Sequence, residues 1–454
     1  MEKKIYFVQP SYRRKDGNYL KRWNLFTDCM RPAILSALIP PDWHKKYCLE
    51  YFEDIDYETD APIVGMSSQG FDINHLREVG LQFKKRGKKV ILVGDRDQFS
   101  EKLLGDVCDA VVHGHPSKKE MRQILDDALN HRLSNRYTFD VSIDFPFDYS
   151  VLKGKPLGYI PAISSLGCFY HCEYCCHIWM YKARYYLRSM DNVLTDIHEA
   201  RKLKKFIGFL DANLYNDRDH LKNLCRGILT EKLGIYWGGQ STIDIGDDTE
   251  MLGLLKRSGC RVLFIGLETL NQNNLDRLNK PFQAHSYYER IKNIRKKGIY
   301  VVAYFILGFD EDTKESFDEV CKFIRHAHVD LPIINLLIPV PGTTVFKRLQ
   351  REGRLHIQSE SEFIEKNPLY SVPCNHCLYT PERMTAEEAE KYYLNLVNRI
   401  STIPAILRRS VIRNPFMAFI SFIINYYFRT EYKLMAQDEE YKKYPEKSKR
   451  RLED

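Results

Sequence analysis

Three thiols fall at spacings of four and three residues in Gly167-Cys168-Phe169-Tyr170-His171-Cys172-Glu173-Tyr174-Cys175. A loop of this length can wrap Cys168, Cys172 and Cys175 around one face of a metal centre. Zinc takes four nitrogen or sulfur ligands in a tetrahedron, and Cys176, His171 and His177 stand close in sequence as further donors. Structural zinc sites usually pair two short hooks from separated segments, and the next such pair, Cys374 and Cys377, lies far along the chain. A [4Fe–4S] cluster needs only three protein thiolates, because its fourth iron can stay open to bind a small molecule. Four cysteines within nine residues argue against a third reading, in which they are inert core thiols.

The loop follows a strand candidate, Ala162 to Leu166, that opens a regular alternation. Further strand candidates are Phe206 to Leu210, Tyr236 to Gln240, Val262 to Leu267, Val301 to Leu307 and Ile333 to Ile338, with charged, helix-like segments between them. Two of those segments end near Gly259 and Gly298, each just before the next strand, as helix C-termini do. Six βα units of about 30 residues, repeated without a topological switch, predict a barrel or open barrel rather than a flat sheet. Chemistry on a barrel gathers at the carboxyl ends of its strands. There the sequence offers Asp211 and Asn213, Gln240, Glu268, Gly308 and the turn Pro339-Val340-Pro341-Gly342.

The first 115 residues alternate in the same way. Ile5 to Val8, Cys48 to Phe52, Ile63 to Met66, Val90 to Val93 and Ala110 to Val112 read as strands, and Asn74 to Arg86 as a helix with Leu76, Val79 and Phe83 on one stripe. This predicts a parallel sheet in a doubly wound domain. Its ligands would sit near Ser67-Ser68-Gln69-Gly70, Gly94-Asp95 and Gly114-His115-Pro116. A helix from Lys118 to Asn130 leads into an aperiodic connector that runs to about Tyr159. Past Glu360 the regularity stops. Thr385-Ala386-Glu387-Glu388 is a capping box opening a helix to about Ile400, and Asn414 to Tyr427 is an apolar, aromatic stretch beside Arg408, Arg409 and Arg413. The charged tail from Lys442 to Asp454 reads as disordered.

With 454 residues and 44% hydrophobic content, the chain can bury two or three cores. Its formal charge of +8 comes from 68 Lys and Arg against 60 Asp and Glu. So weak a basic balance fits nucleic acid, anionic lipid or no polyanion, and nothing else favours nucleic acid. The start, MEKKIYFVQP, has no apolar signal-peptide core, which predicts a cytoplasmic protein. No apolar run reaches the roughly 18 residues of a membrane span; Phe416 to Phe428 is shorter and carries Ser421 and Asn425. Twelve cysteines without secretory features read as reduced thiols plus metal ligands. The scattered Cys29, Cys48, Cys108, Cys225, Cys260 and Cys321 suit buried, structural roles.

On these residues the sequence resembles the radical S-adenosylmethionine (SAM) superfamily, marked by a CxxxCxxC loop after the first strand of a (β/α)6 partial TIM barrel. The resemblance runs from Pro161 to about Arg354 and includes the aromatic Tyr174 before the last cysteine. It implies that Cys168, Cys172 and Cys175 hold a [4Fe–4S] cluster whose open iron chelates SAM. One electron from a flavodoxin- or ferredoxin-type reductant would then yield methionine and a 5′-deoxyadenosyl radical. By the same resemblance, Asp211 and Asn213 meet the methionine amino end and Glu268 the ribose hydroxyls. Gly308 and Val340 flank adenine, Gln240 faces the cavity, and Tyr174 belongs to the cofactor site. The plainer alternatives are that Asp211 and Asn213 cap the next helix, and that Gly308 and the Pro339 turn are only punctuation.

A doubly wound domain before such a barrel resembles the cobalamin-binding class of the superfamily. Trp237-Gly238-Gly239-Gln240-Ser241-Thr242, Phe264-Ile265-Gly266-Leu267-Glu268, Pro339-Val340-Pro341-Gly342-Thr343 and Pro381-Glu382-Arg383-Met384-Thr385 look like the subgroup that includes hopanoid C-2 methylases. The organisation implied is a Rossmann-like, B12-binding-like domain over 1–130, a linker over 131–160, a partial barrel over 161–356, and a mainly helical region over 357–454 with a disordered tail. The function implied is cobalamin-dependent methylation of an unactivated carbon of a small-molecule or lipid-like substrate. Two departures stand out. No Asp-x-His-x-x-Gly segment supplies a lower-ligand histidine, and Gly94-Asp95-Arg96-Asp97-Gln98 replaces a Gly-Gly-Pro-His-like loop. The alternatives are cobalamin-independent cyclisation, C–C coupling, epimerisation or dehydrogenation; methylthiolation of tRNA or protein, with Cys29, Cys48 and Cys108 on another cluster; and a non-catalytic iron–sulfur or zinc protein. Cys374 and Cys377 read as packed thiols or as part of an auxiliary cluster. The stretch 414–428 either packs against the barrel or makes peripheral membrane contact.

Overall fold

The computed structural model describes residues 2–11, 30–67, 73–95, 104–140, 143–177, 181, 184–357, 359, 362–363, 377–410 and 415–436. By its internal contacts the chain divides into two compact units. One comprises residues 1–166, 186–210 and 227–235; the other comprises residues 167–185, 211–226 and 236–454.

The first unit opens with β1 (Lys4–Gln9), α1 (Met30–Leu38), β2 (His44–Leu49), β3 (Ile63–Met66), α2 (Ile73–Lys85), β4 (Lys89–Asp95), β5 (Ala110–His113), α3 (Lys118–Leu129) and β6 (Arg136–Thr138). The strands form one sheet in the order β2-β1-β3-β4-β5-β6, and every pairing is parallel. Side chains alternate across the pleat. Ile5, Phe7, Ile63, Ile91 and Val112 pack with Leu35 and Leu38 of α1 and Ile124 and Leu125 of α3, while Tyr6 meets Phe83 of α2 edge-on at 6.1 Å between centroids. Helices therefore cover both faces, as a doubly wound domain requires. The chain reverses direction across the sheet between β1 and β3, and the carboxyl ends there carry buried Gln9, Ser11 and Ser67. Crevices of this kind hold ligands in such folds. Of the three candidate ligand loops, 68–70 lies outside the described residues, as do 96–98 of the Gly94 segment.

Two strands and the connector after them differ from the sequence expectation. The second strand starts at His44 rather than Cys48, because its exposed first half is charged and the chain already turns at Leu49, whose carbonyl accepts from Phe52 and Glu53. The segment after α3 is not wholly aperiodic: Arg136–Thr138 pairs with β5 as an edge strand too polar to show a strand pattern. Farther on, Ile143, Phe147, Tyr149, Leu152 and Leu157 are buried.

Six strands follow residue 158 in a regular series. They are β7 (Ile160–Ala162), then, after the two-stranded antiparallel ribbon of β8 (Ser165–Leu166) and β9 (Tyr186–Leu187) and after α4 (Met190–Leu203), β10 (Phe206–Phe209); α5 (Arg218–Thr230) comes next. The series goes on with β11 (Tyr236–Ser241), α6 (Thr249–Ser258), β12 (Cys260–Glu268), α7 (Gln272–Arg277), α8 (Tyr287–Lys296), β13 (Tyr300–Leu307), α9 (Lys314–His326), β14 (Leu331–Leu336) and α10 (Thr344–Arg351). In the first unit β7 and β10 pair in parallel; in the second, β11 to β14 do so in chain order. The first strand lies earlier than Ala162 to Leu166, since Ile160–Ala162 pairs with Ile207–Phe209 and Ser165–Leu166 turns off into the ribbon. The last strand ends at Leu336, because Ile338 and Val340 leave the sheet to pack on Ile357, Phe363 and Leu378. Gly259 and Gly298 both take positive φ, as helix ends before a strand demand.

α11 (Ala386–Ile400) opens on the expected capping box at Thr385 and Glu388, and α12 (Ile403–Ser410) and α13 (Pro415–Ala436) follow. The apolar stretch packs on the strands: Ile424 and Phe428 of α13 meet Tyr300, Val302, Leu331 and Ile333. Asn425 donates to the Asp330 carbonyl at 3.0 Å and accepts from Arg409 at 2.8 Å, and the Tyr300 and Ser421 hydroxyls are 3.1 Å apart. These bonds explain the polar residues inside the apolar run. Among the described residues no helix is long and apolar enough to cross a membrane.

One buried ion pair anchors the first unit. Arg188 bonds Asp196 at 2.7 Å and the carbonyls of Ile163 and Phe145 at 2.8 and 2.7 Å, with its guanidinium 3.9 Å from the Phe147 ring centroid. Removing one partner strands the other charge in a dry environment, at a cost of about 3–5 kcal/mol. Arg188→Met is therefore expected to lower the unfolding free energy by that amount, read from denaturant curves as a lower midpoint at unchanged slope, and a midpoint equal to wild type contradicts this reading.

Candidate active site

The three-thiol loop begins at Gly167, where φ is +84° and a Cβ would stand 2.0 Å from the Arg184 carbonyl oxygen, so only glycine fits. Asn216 then organises the loop entry. Its Oδ1 lies 3.5 Å from both Cys168 Sγ and the Phe169 amide, and its Nδ2 donates to the Gly167 carbonyl at 3.4 Å. Asn216 is itself held by Asn213, whose Nδ2 donates to it at 2.9 Å while its Oδ1 accepts from the amides of Tyr215 and Thr242 at 3.1 and 3.2 Å. Asn213 thus ties the end of β11 to the loop. It does not cap α5; that role falls to Asp217, which accepts from the His220 amide at 2.8 Å. Asp211 is fully buried at the end of β10.

Farther along the loop the Cys175 amide bonds the Cys172 carbonyl at 3.0 Å. Aromatic contacts brace it: Phe169 on Tyr185, Tyr170 on Phe282, and Tyr174 on Phe309, at 4.5, 5.6 and 6.1 Å between centroids. Burial raises the Cys172 thiol, and Lys280 opposes that rise. Burial also raises Cys175, helped by the neighbouring thiols Cys176, Cys172 and Cys168, so the sulfurs lie within electrostatic reach of one another.

β12 ends in a register shift between Gly266 and Glu268, and Glu268 takes φ +63°, a strained value for a residue with a side chain. The kink aims its carboxylate at Lys280, 2.7 Å away, and both side chains are more than nine-tenths buried. Burial alone would depress the Lys280 ammonium, but Glu268 and the thiols of Cys172 and Cys175 lift it above the ordinary lysine range. Tyr174 is pushed well above the usual phenol range by burial, with the Glu268 carboxylate adding to the effect. Cys172, Cys175, Tyr174, Glu268 and Lys280 therefore form one neighbourhood, and Cys168 and Asn213 join it through Asn216.

Gly308, at φ +94°, accepts from the Tyr379 hydroxyl, and a Cβ there would stand 2.7 Å from that oxygen. Its amide and that of Phe309 both donate to Asp312, at 2.9 and 3.0 Å. Gly308 is thus a built turn beside Phe309 and Tyr174. Among the described residues no hydrogen bond joins Gln240 or Val340 to the thiols. The Gln240 side chain is exposed and its carbonyl accepts from the Leu214 amide, while Val340 packs against Ile357, Phe363 and Leu378. Cys377 is buried and donates to the Tyr379 carbonyl at 3.1 Å; Cys374 lies outside the described residues, as does Cys29. Cys48, Cys225, Cys260 and Cys321 are buried as core thiols, and Cys108 is half-buried.

Lys280, Asn216 and Asp312 carry no mark in the sequence. Lys280 sits twelve residues past Glu268 in a charged segment and reads as a solvated lysine. Only the turn after α7 sends it back under Glu268. Among the described residues no three His, Cys, Asp or Glu side chains converge as a mononuclear metal site requires. The donor set does fit a [4Fe–4S] cluster: three thiols share one loop, and a buried cation stands ready to balance the charge that thiolates bring.

Asp312 yields a pH prediction. Burial raises its carboxyl to about 7, against the pull of the Gly308, Phe309 and Asn274 donors. The folded state then keeps a proton that the unfolded chain releases near 3.8, so stability falls as pH rises from there to about 7. Asp312→Asn is expected to flatten this fall, read as denaturant midpoints at about pH 5 and about pH 8. An unchanged slope contradicts the assignment.

Comparison with known proteins agrees with this geometry. The radical SAM superfamily profile matches residues 163–324. The bacteriochlorophyllide d C-8(2)-methyltransferase of Chlorobaculum tepidum is 27% identical over 361 residues, 74% of this chain and 78% of that protein. The hopanoid C-2 methylase of Rhodopseudomonas palustris is 24% identical over 384 residues, 78% and 71% of the two chains. In fold, the chain is similar to the radical SAM methyltransferase TsrM of Kitasatospora setae, with a TM-score of 0.67 at 13% identity over 96% of this chain and 99% of that one. The fold is therefore an N-terminal doubly wound, B12-binding-like domain followed by a (β/α)6 partial barrel and C-terminal helices. The matched stretch carries the three-cysteine loop and most of the strand ends around it, and this part of the chain is similar to the radical SAM superfamily.

Proposed function

We propose that this chain is a cobalamin-dependent radical SAM methyltransferase that adds a methyl group to an unactivated carbon of a small, largely apolar molecule. The observation that carries the reading is the three-thiol loop backed by the buried Lys280–Glu268 pair, in a chain that also holds a doubly wound sheet with a polar switch point. The names of the relatives support the substrate class, since a bacteriochlorophyllide and a hopanoid are both methylated at carbon. TsrM has been solved with cobalamin and a [4Fe–4S] cluster bound.

When bound, the cluster supplies the electron that splits the S–C5′ bond of SAM, and the corrinoid supplies a site that carries a methyl group. The chain's own residues do the rest. Cys168, Cys172 and Cys175 hold the cluster as thiolates. Lys280 offers its ammonium to the SAM carboxylate, and Glu268 accepts from ribose hydroxyls once that ammonium is shared. Asp211 receives the methionine amino end, and Asn213 keeps the loop in register for it. Gly308, whose missing side chain makes room for the Tyr379 hydroxyl, holds the turn that flanks the adenine ring, and Val340 gives that ring an apolar neighbour. Gln240 is left to the substrate side of the cavity. A low-potential flavodoxin- or ferredoxin-type protein delivers the electron.

The test is anaerobic reconstitution followed by reduction in the presence of SAM. Wild-type protein is expected to form 5′-deoxyadenosine and to retain corrinoid absorbance after desalting, and Cys172→Ala to form none. A cluster-loaded protein that leaves SAM intact contradicts the radical reading. Cleavage without corrinoid retention after careful loading contradicts methyl transfer and leaves cyclisation, C–C coupling, epimerisation or dehydrogenation.

Lys280→Met is expected to weaken SAM binding about 10- to 100-fold while the cluster stays in place, the scale of one charge-assisted hydrogen bond. Equal SAM dissociation constants for the two proteins would remove Lys280 from the binding site.

We also propose peripheral membrane contact through the outward face of α13. Phe419, Ile423 and Tyr426, one helical stripe, are 63%, 46% and 48% exposed, and Leu407 of α12 and the cations Arg408 and Lys433 are exposed as well. Such a face suits an anionic bilayer surface. The protein is expected to sediment with phosphatidylglycerol vesicles and Phe419→Asp to lose that binding; no sedimentation of wild type, or a monomer–dimer change in Phe419→Asp, contradicts it.

A further inference from the structure

Glu173 sits inside the thiol loop, between Cys172 and Cys175, yet it faces neither sulfur pairing nor solvent alone. Its carboxylate takes two N–H bonds from Arg348 of α10, Nη2 to Oε1 at 2.9 Å and Nε to Oε2 at 3.2 Å. Its main-chain carbonyl accepts from the Val345 amide in the first turn of the same helix, at 3.0 Å. The third nitrogen of Arg348 donates to Asp310 at 2.7 Å, and Asp310 is held from its other oxygen by Arg354 at 2.6 Å. Asp310 follows Gly308 and Phe309, the turn that ends β13. The sequence offers no reason to join these residues; the fold brings three separate segments onto one guanidinium.

The geometry points to Arg348 as the positioning residue of the thiol loop: by gripping Glu173 in bidentate fashion it fixes the segment that carries Cys172 and Cys175, and through Asp310 it locks that segment to the turn at Gly308. This inference rests on the cluster assignment made above. The physical need is plain. A loop with three sulfur ligands loses its cluster when it can swing, and the outer partners of metal ligands set how long the metal is kept. Bidentate pairing supplies direction as well as attraction, because the guanidinium plane and the carboxylate plane must coincide. A lysine cannot do this, having a point charge in place of a fork. The Arg348 charge is also well anchored: burial works against it, but Glu173, Asp310 and Glu352 hold its pKa above the usual arginine value. It further neutralises a carboxylate next to the cluster, which otherwise would make an added electron less favourable.

The test compares reconstituted wild type with Arg348→Gln, Arg348→Lys and Glu173→Gln. Bleaching of cluster absorbance by an iron chelator is expected to run about tenfold faster in both Arg348 variants, the usual cost of losing such a partner. Glu173→Gln, which keeps one acceptor, is expected to fall between them and wild type. The midpoint potential of the cluster is expected to shift to a more negative value in Arg348→Gln, a shift that loss of global stability alone does not produce. Cluster loss at the wild-type rate in both Arg348 variants overturns the assignment. So does accelerated loss at an unchanged midpoint potential in Arg348→Gln, since a merely structural role predicts that. Wild-type protein that takes up no cluster at all would instead bring down the functional reading, and this inference with it.

Discussion

Lys280 keeps its ammonium 2.7 Å from the Glu268 carboxylate and within electrostatic reach of Cys172 and Cys175, in a place almost closed to water. A charge so buried costs several kcal/mol to desolvate unless nearby charges offset it. Glu268 offsets it in the ligand-free protein, and thiolates would strengthen the balance once a cluster forms. Everything that shapes the site serves this arrangement. The register shift in β12 and the positive φ of Glu268 turn the carboxylate inward, where an undisturbed strand would have carried it past. A protein holds such strain when the surrounding structure over-determines it, and strain of this kind gathers at functional sites.

The neighbours of the pair are arranged by hydrogen bonds rather than by shape alone. Asn213 and Asn216 hold the loop at its start, and the amides of Gly308 and Phe309 converge on Asp312 at the far side. The loop is therefore fixed at its entry by amide side chains and at its centre by an ion pair. Ring contacts add to both devices, with Phe169, Tyr170 and Tyr174 of the loop set against Tyr185, Phe282 and Phe309. In the first unit the same logic gives a sheet with helices on both faces and polar residues, Gln9, Ser11 and Ser67, at the one place where strand order reverses.

Much of this was legible in the sequence, for reasons that can be named. Strands such as Ile63–Met66 and Tyr300–Leu307 are apolar runs bounded by charged helices, so periodicity finds them. The thiols announce themselves because four cysteines seldom crowd into nine residues by accident. Edges were less visible. Arg136–Thr138 is a strand only because β5 offers it a ladder, and His44-Lys45-Lys46 is charged because it lies on an exposed edge. The site residues split in the same way. Glu268 stands out at a strand end, but Lys280, Asn216 and Arg348 matter through partners distant in sequence, and an isolated lysine or arginine in a charged segment gives no sign of them. Asn213 stands out as a polar residue past a strand end, and the bonds that let it brace the loop and the end of β11 run to Asn216 and to Thr242, the latter far off in sequence.

Radical chemistry at this site requires one coordination position left for a small molecule at a cluster held by three thiolates. Mössbauer spectra of ⁵⁷Fe-reconstituted protein, recorded with and without SAM, address this most directly. One iron of the four is expected to change its isomer shift when SAM is added while the other three do not. Four irons that stay alike in the presence of SAM, or a metal centre without a cluster signature, would contradict it.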